Sequence, residues 1–139
     1  MKYYAVIDTN VLISAMLVPD SIPGLILKHT ISGTIIPLVN DEIIEEYKSV
    51  MKRPKFNFAN KDIENITNVL LEASINLERT PSHEMVLDEK DVVFYEITLT
   101  ARKKEEAYLI TGNIKHFPKK AYVVTPKEML NIIENSDII

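Results

Sequence analysis

The segment YYAVIDTNVLISAML, residues 3–17, contains a predicted strand, an acidic turn and a predicted helix in that order. The short apolar run at residues 3–7 is rich in residues that favour strands and predicts a buried strand. Asp8, Thr9 and Asn10 are residue types that cap helices, and the apolar residues after them predict a helix. An acidic residue therefore closes the first strand at the point where the first helix begins.

The rest of the chain repeats this alternation. Further strands are predicted at residues 34–39, 75–78, 107–110 and 122–124, and further helices at residues 25–31, 41–52, 60–74 and 88–104 and from residue 126 onward. Asn40 marks one helix start, and Thr125 with Pro126 and Glu128 marks another. Alternating strands and helices predict an α/β fold with a parallel sheet. Because no repeat, low-complexity tract or linker interrupts the pattern, we expect one domain over residues 1–139.

Composition and charge exclude several classes of function. The chain has no cysteine and only three histidines, which excludes thiolate zinc sites, iron–sulfur clusters and a cysteine nucleophile, so a bound metal would need oxygen ligands. The net charge of −4 argues against capture of nucleic acid by overall charge, but it is compatible with a nuclease whose acidic centre has a local basic rim. The N-terminus does not read as a secretory signal, and no apolar stretch approaches the roughly 20 residues of a membrane span. We therefore expect a soluble cytoplasmic protein without a membrane partner.

Acidic and polar residues are predicted at the carboxyl edge of the sheet, where ligands bind in open parallel α/β sheets. Asp8 closes the first strand, and Asn113 follows a later strand by two residues. Glu46 lies in the helix after the second strand, and Asp88 and Asp91 begin the helix before the fourth. The topology is therefore expected to bring these side chains to one edge.

Helical periodicity distinguishes Glu46 from its neighbour Glu45. Ile43, Tyr47 and Val50 define the apolar stripe of this helix. Glu45 lies nearly opposite the centre of the stripe and is expected to be solvated. Glu46 borders the stripe and can reach the edge of the sheet, so Glu46 is the predicted site residue.

Three carboxylates in one cleft, from Asp8, Glu46 and Asp91, would repel one another unless a hard divalent cation offset their charge. Mg²⁺ or Mn²⁺, with oxygen ligands and retained waters, fits this requirement best. Such a cation lowers the pKa of a bound water and neutralises charge on phosphate oxygens, so the pattern predicts hydrolysis of phosphodiesters. Each acid alone has a structural interpretation as a cap or a solvated helix residue. The prediction therefore depends on their coincidence.

Two basic clusters flank the predicted acidic edge. One follows the helix that carries Glu46, and the other follows Asn113. Their functional interpretation is contact with phosphates, and the alternative is ordinary solvated side chains. We predict phosphate contacts for Lys52, Arg53, Lys115, His116 and Lys119.

Taken in order, these segments resemble the PIN-domain family, and in particular its branch of toxin components of toxin–antitoxin pairs. The resemblance covers nearly the whole chain. It is carried by VIDTNVL at 6–12, EEY at 45–47, RPKF at 53–56, DEKD at 88–91 with Phe94, LITGN at 109–113, KHFP at 115–118 and VTP at 124–126.

This resemblance implies a three-layer α/β/α fold with a parallel sheet of about five strands, and a Mg²⁺- or Mn²⁺-dependent endoribonuclease that hydrolyses RNA with a metal-activated water. Asp8, Glu46 and Asp91 match the family's first three acidic positions, so they are the implied catalytic and metal-binding residues. Asn113 stands where many members have a fourth acid. A neutral amide oxygen there puts a second metal site in question, and Asp88 is a compensating metal ligand.

Supporting residues and partners are also implied by the resemblance. Thr9, Asn10 and Thr111 would support the acidic cluster, with the Asn10 amide hydrogen-bonded to it. The implied partners are RNA as substrate, a second copy of the chain paired through apolar helix faces, and a cognate antitoxin protein that blocks the cleft.

Three other functions compete with the nuclease. A phosphotransfer receiver domain requires an acidic pair at the end of the first strand, where this chain has Ile7 and Asp8. A haloacid-dehalogenase-type phosphatase requires a second aspartate two residues after the first, where this chain has Asn10. The third alternative is a non-catalytic or weakly active RNA- or protein-binding domain on the same fold, and it stays open because Asn113 replaces an acid.

Overall fold

A computed structural model of the chain describes residues 1–136, which form a parallel sheet flanked by helices. The strands are β1 (Tyr3–Ile7), β2 (Ile35–Val39), β3 (Ile75–Asn76), β4 (Ala107–Ile110) and β5 (Val123–Val124). The helices are α1 (Thr9–Leu17), α2 (Ile22–Ile31), α3 (Asp41–Met51), α4 (Asn60–Ala73), α5 (Val92–Arg102) and α6 (Pro126–Ser136). Short 3-10 turns lie at Pro54–Phe56, Glu89–Asp91 and Ile114–His116.

The sheet has the strand order β3-β2-β1-β4-β5, and its strand pairs are parallel. The chain builds outward from β1 to β3 on one side and then returns to place β4 and β5 on the other. The strand order therefore reverses between β1 and β4, which is where parallel α/β sheets bind ligands. Ile7 at the end of β1 pairs with Ile110 at the end of β4. The predicted α/β fold with a five-stranded parallel sheet is confirmed.

Alternate residues of β1 point to opposite faces of the sheet, and each face has its own core. Tyr3, Ala5 and Ile7 pack with Ile26 of α2 and with apolar residues of α6. Val6 packs on the other face with apolar residues of α3, α4 and α5. Helices thus cover both faces, and the three-layer α/β/α architecture is confirmed.

Two predicted helix caps form as the sequence indicates. The Asn40 side chain accepts a hydrogen bond from the Ile43 amide at 2.9 Å and so caps α3. At α6, the Glu128 amide donates to Thr125 Oγ1 at 3.1 Å, and the Thr125 amide donates to Glu128 Oε1 at 2.9 Å. This reciprocal pair satisfies two backbone donors that the first turn would otherwise leave free.

Helix α2 begins three residues earlier than predicted. The Ser21 hydroxyl accepts a hydrogen bond from the Gly24 amide at 3.1 Å, so Ser21 caps the helix and Pro23 lies in its first turn. Pro23 and Gly24 indicated a break in the sequence. Proline is tolerated in the first turn, however, because the amides there have no helical partner. Gly24 is required because a Cβ atom would lie 2.0 Å from the carbonyl oxygen of Pro19.

Helix α5 begins at Val92, and the prediction of one continuous helix from Asp88 was wrong. The Asp88 side chain accepts a hydrogen bond from the Lys90 amide at 3.0 Å, which closes the 3-10 turn Glu89–Asp91 instead. Asp91 then occupies the N-cap position of α5 without a side-chain capping bond. Its carboxylate is therefore available for other contacts.

Within residues 1–136, no single helix has both the length and the apolar composition needed to cross a bilayer. Helices α1 and α2 together satisfy both criteria, but they meet at a bend of 101°.

Candidate active site

A cavity of about 200 Å³ lies beyond the carboxyl ends of β1 and β4. Residues that are far apart in the sequence converge on it because both strands end at the same edge of the sheet. Its lining consists of Asp8, Thr9, Asn10, Glu46, Val50, Arg53, Asp88, Lys90, Asp91, Asn113 and His116. The structure therefore brings together all five residues predicted as metal ligands.

Asp8 is the most deeply buried of these acids, with 3% of its surface exposed. It stands at the N-cap position of α1, but its side chain makes no capping hydrogen bond. Its Oδ2 atom instead accepts a hydrogen bond from Thr111 Oγ1 at 2.7 Å. Burial raises the pKa of Asp8, and the nearby negative charge of Glu46 raises it further. The hydrogen bond from Thr111 lowers the pKa but does not cancel this rise. An uncompensated charge on Asp8 is thus costly in this protein.

Thr111 connects the loop after β4 to Asp8. Its hydroxyl is fully buried, donates to Asp8, and accepts a hydrogen bond from the Asn113 amide at 3.0 Å. One hydroxyl can do both because it has one proton and two lone pairs. The position of Asn113 in the cavity is therefore coupled to that of Asp8.

Helix α3 presents Glu46 to the cavity and directs Glu45 away from it. Glu46 Oε2 accepts a hydrogen bond from Thr9 Oγ1 at 3.3 Å. Glu45 has 74% of its side chain exposed and pairs with Lys48 at 3.6 Å. The helix is held in this orientation by Tyr47, whose hydroxyl donates to the Ile7 carbonyl at 2.5 Å.

Tyr47 is a site-supporting residue that the sequence analysis placed in the apolar stripe and in the EEY motif, without a role in the site. Burial raises the pKa of Tyr47, with further contributions from the negative charges of Asp8 and Glu46, so the hydroxyl keeps its proton as a donor. A tyrosine within an apolar stripe is the signal that could have identified it, because a buried tyrosine hydroxyl usually has a hydrogen-bond partner.

Asp91 lies among negative charges at the rim of the cavity. Burial raises its pKa to about 6, and Asp8, Asp88 and Glu46 also raise it. His116 opposes this shift, and its Nδ1 atom lies 3.8 Å from Asp91 Oδ2. The ionised form of Asp91 is thus disfavoured in the folded, metal-free protein.

The raised pKa of Asp91 predicts a pH-dependent loss of stability without metal. An aspartate has a pKa of about 3.9 in the unfolded chain, so the folded state binds this proton more tightly. The stabilisation is fully present below about pH 4 and is lost as the pH rises through about 6. We therefore expect Asp91→Asn to melt at a higher temperature than the wild type in EDTA, by a margin that grows between about pH 4 and about pH 6 and levels off above that pH. A margin independent of pH in thermal unfolding would contradict this assignment.

The residues predicted to contact phosphates do not all lie at the acidic cavity. Of the five predicted phosphate contacts, Arg53 and His116 line the acidic cavity. Lys52 lines a groove between α3 and α4, and Lys115 and Lys119 line another cavity.

The predicted role of Asn10 was wrong, and the cavity residue Lys90 was not predicted. Across the described residues 1–136, side-chain hydrogen bonds reach Asp8 and Glu46 from Thr111 and Thr9, and none comes from Asn10, which is exposed. The prediction of a hydrogen bond from the Asn10 amide to the acidic cluster was therefore wrong. Lys90 lines the cavity and was missed, although it lies between two of the predicted acids.

The donor atoms of the cavity suit a hard divalent cation. Carboxylate and amide oxygens are the ligands that Mg²⁺ and Mn²⁺ prefer, and the raised pKa values of Asp8 and Asp91 express a negative charge that a cation would relieve. In the part of the chain that the structure describes, however, no three or more His, Asp or Glu side chains are grouped so that together they could hold a metal ion. A cation bound here would therefore take few ligands directly from these side chains and keep several waters, as Mg²⁺ usually does.

Comparison with known proteins gives one family match. Residues 4–115 match the family model described as PIN domain. This span includes each residue that lines the acidic cavity except His116. No curated protein matches the chain.

Proposed function

The chain belongs to the PIN-domain family, whose members are generally nucleases, and from that premise we propose that it is a Mg²⁺- or Mn²⁺-dependent endoribonuclease. The observation that carries the proposal is the convergence of Asp8, Glu46 and Asp91, with Asp88 and Asn113, on one cavity at the switch point of the sheet. Such a cluster of carboxylates is costly to maintain without a cation, and perturbed pKa values concentrate at functional sites.

In this proposal Asp8, Glu46 and Asp91 hold the cation. A bound divalent cation lowers the pKa of a coordinated water and neutralises charge that develops on the phosphate oxygens. Thr111 and Thr9 orient the carboxylates of Asp8 and Glu46 through their hydrogen bonds.

Basic side chains in the same cavity would position the RNA. Arg53, Lys90 and His116 line it beside the acids and would contact non-bridging phosphate oxygens. Asp88 uses Oδ1 to accept the Lys90 amide, which leaves Oδ2 for a cation. The neutral Asn113 oxygen, held near Asp8 through Thr111, would complete the set of oxygen ligands.

The test is cleavage of a mixed pool of structured and single-stranded RNAs by the purified protein. We expect cleavage with Mn²⁺, its loss with excess EDTA, and its recovery when Mn²⁺ again exceeds the chelator. Cleavage that persists in EDTA would contradict a metal-dependent mechanism. RNA binding without cleavage at any Mn²⁺ concentration would favour the non-catalytic alternative, in which Asn113 has weakened the metal site.

The proposal extends to a role as the toxin of a toxin–antitoxin pair, with a homodimer and a cognate antitoxin as partners. Support comes from exposed apolar side chains at the corner between α1 and α2. Leu17, Val18, Ile22 and Leu25 have exposed fractions between 41% and 55%. Exposed apolar surface of this kind is typical of protein contacts. A monomer in light scattering of the protein alone would contradict the dimer.

A further inference from the structure

A second cavity, of about 440 Å³, lies next to the acidic one at the edge of the sheet formed by β5. Its wall combines apolar and basic side chains. The apolar members used here are Ile114, Phe117 and Pro118, and the basic ones are Lys115, Lys119 and Lys120.

The two cavities share one structural wall, the 3-10 turn Ile114–His116. His116 lines the acidic cavity, whereas Ile114 and Lys115 line the second. Because residues of one short turn line both cavities, an RNA strand bound in the acidic cavity would continue directly into the second.

The three lysines of the second cavity differ in whether an acidic side chain already pairs with them. Lys120 pairs with Glu84 at 2.7 Å, so its charge is partly compensated. Within residues 1–136, Lys115 and Lys119 lie in no ion pair, and both are exposed. These two lysines therefore supply the attraction for an anion.

The apolar wall distinguishes this cavity from a simple patch of lysines. Ile114 is 40% exposed, Pro118 is half-buried, and Phe117 is a buried residue of the cavity wall. A bare phosphate chain would gain nothing from an apolar wall, and an apolar peptide would gain nothing from two lysines. A nucleotide has both a flat base with an apolar face and a phosphate, and single-stranded RNA is bound by this combination of contacts.

We propose that the second cavity is a nucleotide subsite of the ribonuclease that adjoins the position of the scissile phosphate. The base packs against Ile114 and Pro118, and Lys115 and Lys119 contact the flanking phosphates. This inference rests on the proposed function, because it takes RNA as the substrate of the neighbouring acidic cavity.

The test measures binding of a fluorescent oligouridylate of about ten nucleotides, within the range that single-strand binding sites cover, to the full chain in EDTA. We expect Lys115→Ala/Lys119→Ala to weaken binding about tenfold. The slope of log K against log salt concentration should become less steep by about 1.4, which is about 0.7 for each lost phosphate contact. The matched control is Lys103→Ala/Lys104→Ala, which removes two exposed lysines before the amino end of β4, whereas the cavities lie beyond the carboxyl ends of the strands. Equal affinities for the two double variants would overturn the subsite.

A second comparison tests whether the cavity recognises a base. The wild type is expected to bind the oligouridylate more tightly than an abasic ribose-phosphate chain of the same length. Ile114→Ala, a change at an exposed position, is expected to reduce this preference about threefold with no effect on binding of the abasic chain. Equal effects on both ligands would show only an electrostatic patch and would overturn the base contact.

Cleavage of the same oligouridylate with Mn²⁺ separates the subsite from the proposed function. Loss of the lysine pair is expected to raise KM and to leave kcat within about twofold, because these side chains lie outside the acidic cavity. Cleavage with unchanged KM in the lysine variant would overturn the subsite alone. Lysine-dependent binding without cleavage would overturn the proposed ribonuclease activity and leave the second cavity as a site of RNA binding.

Discussion

Asp8→Asn is expected to lower the rate of RNA cleavage by more than about 100-fold, because loss of a residue that only supports a metal ligand already costs about 10- to 100-fold. The metal-free variant should be at least as stable as the wild type. Burial and the charge of Glu46 both disfavour ionised Asp8, and asparagine removes that charge. The asparagine oxygen can still accept the hydrogen bond from Thr111.

The measurement combines cleavage rates with thermal unfolding in EDTA and in Mn²⁺. In the wild type, Mn²⁺ at about 100 times its Kd would stabilise the folded protein by about 2.7 kcal/mol, and most of this gain should vanish in Asp8→Asn. Asp20→Asn is the matched control, because Asp20 has 98% of its side chain exposed and lies away from the cavity. A large loss of stability of Asp8→Asn in EDTA would show that Asp8 is mainly a structural acceptor for Thr111.

The second large effect on cleavage is expected from a comparison of substitutions at two adjacent glutamates of α3. Glu46→Gln is expected to reduce cleavage by more than about 100-fold, whereas Glu45→Gln should stay within about twofold of the wild type. Glu46 lines the acidic cavity and accepts the hydrogen bond from Thr9, and Glu45 is solvent-exposed. Both substitutions remove one negative charge from the same helix, so a difference between them cannot come from net charge or helix propensity.

Rates should be measured over a range of Mn²⁺ concentrations. If Glu46 is a metal ligand, Glu46→Gln should require more Mn²⁺ for half-maximal cleavage, and excess Mn²⁺ should restore part of the rate. Equal rates for the two variants would remove Glu46 from the proposed site. A Glu46→Gln variant with normal Mn²⁺ dependence but weaker RNA binding would assign Glu46 to substrate contact instead.

Most of the element order was predictable because it depends on residues a few positions apart. The apolar run before Asp8, the Asn40 cap and the Thr125–Glu128 pair act within one helical turn or one short strand. The start of α5 was not predictable in the same way. The same Asp88 side chain can cap a helix or close a 3-10 turn, and the local sequence suits both.

The residues of the candidate site likewise separate into those that local sequence predicts and those that it does not. The sequence indicated that Asp8 and Asn113 follow strands and that Glu46 borders an apolar stripe, because the periods of strands and helices are local properties. It placed five basic residues near the acids, yet of these only Arg53 and His116 line the cavity. Distance along the chain does not tell which side of a short turn a lysine faces.

By itself, then, the sequence determined the alternation of strands and helices, the parallel α/β fold and the acids that end at one edge of its sheet. Only the tertiary structure decided how those acids are held. Thr111 reaches Asp8 across 103 positions, Tyr47 reaches the Ile7 carbonyl across 40, and Thr9 reaches Glu46 across 37. Contacts this distant form only when the strand order brings β1 and β4 together and α3 packs on one face of the sheet, and no local pattern of residues contains that information.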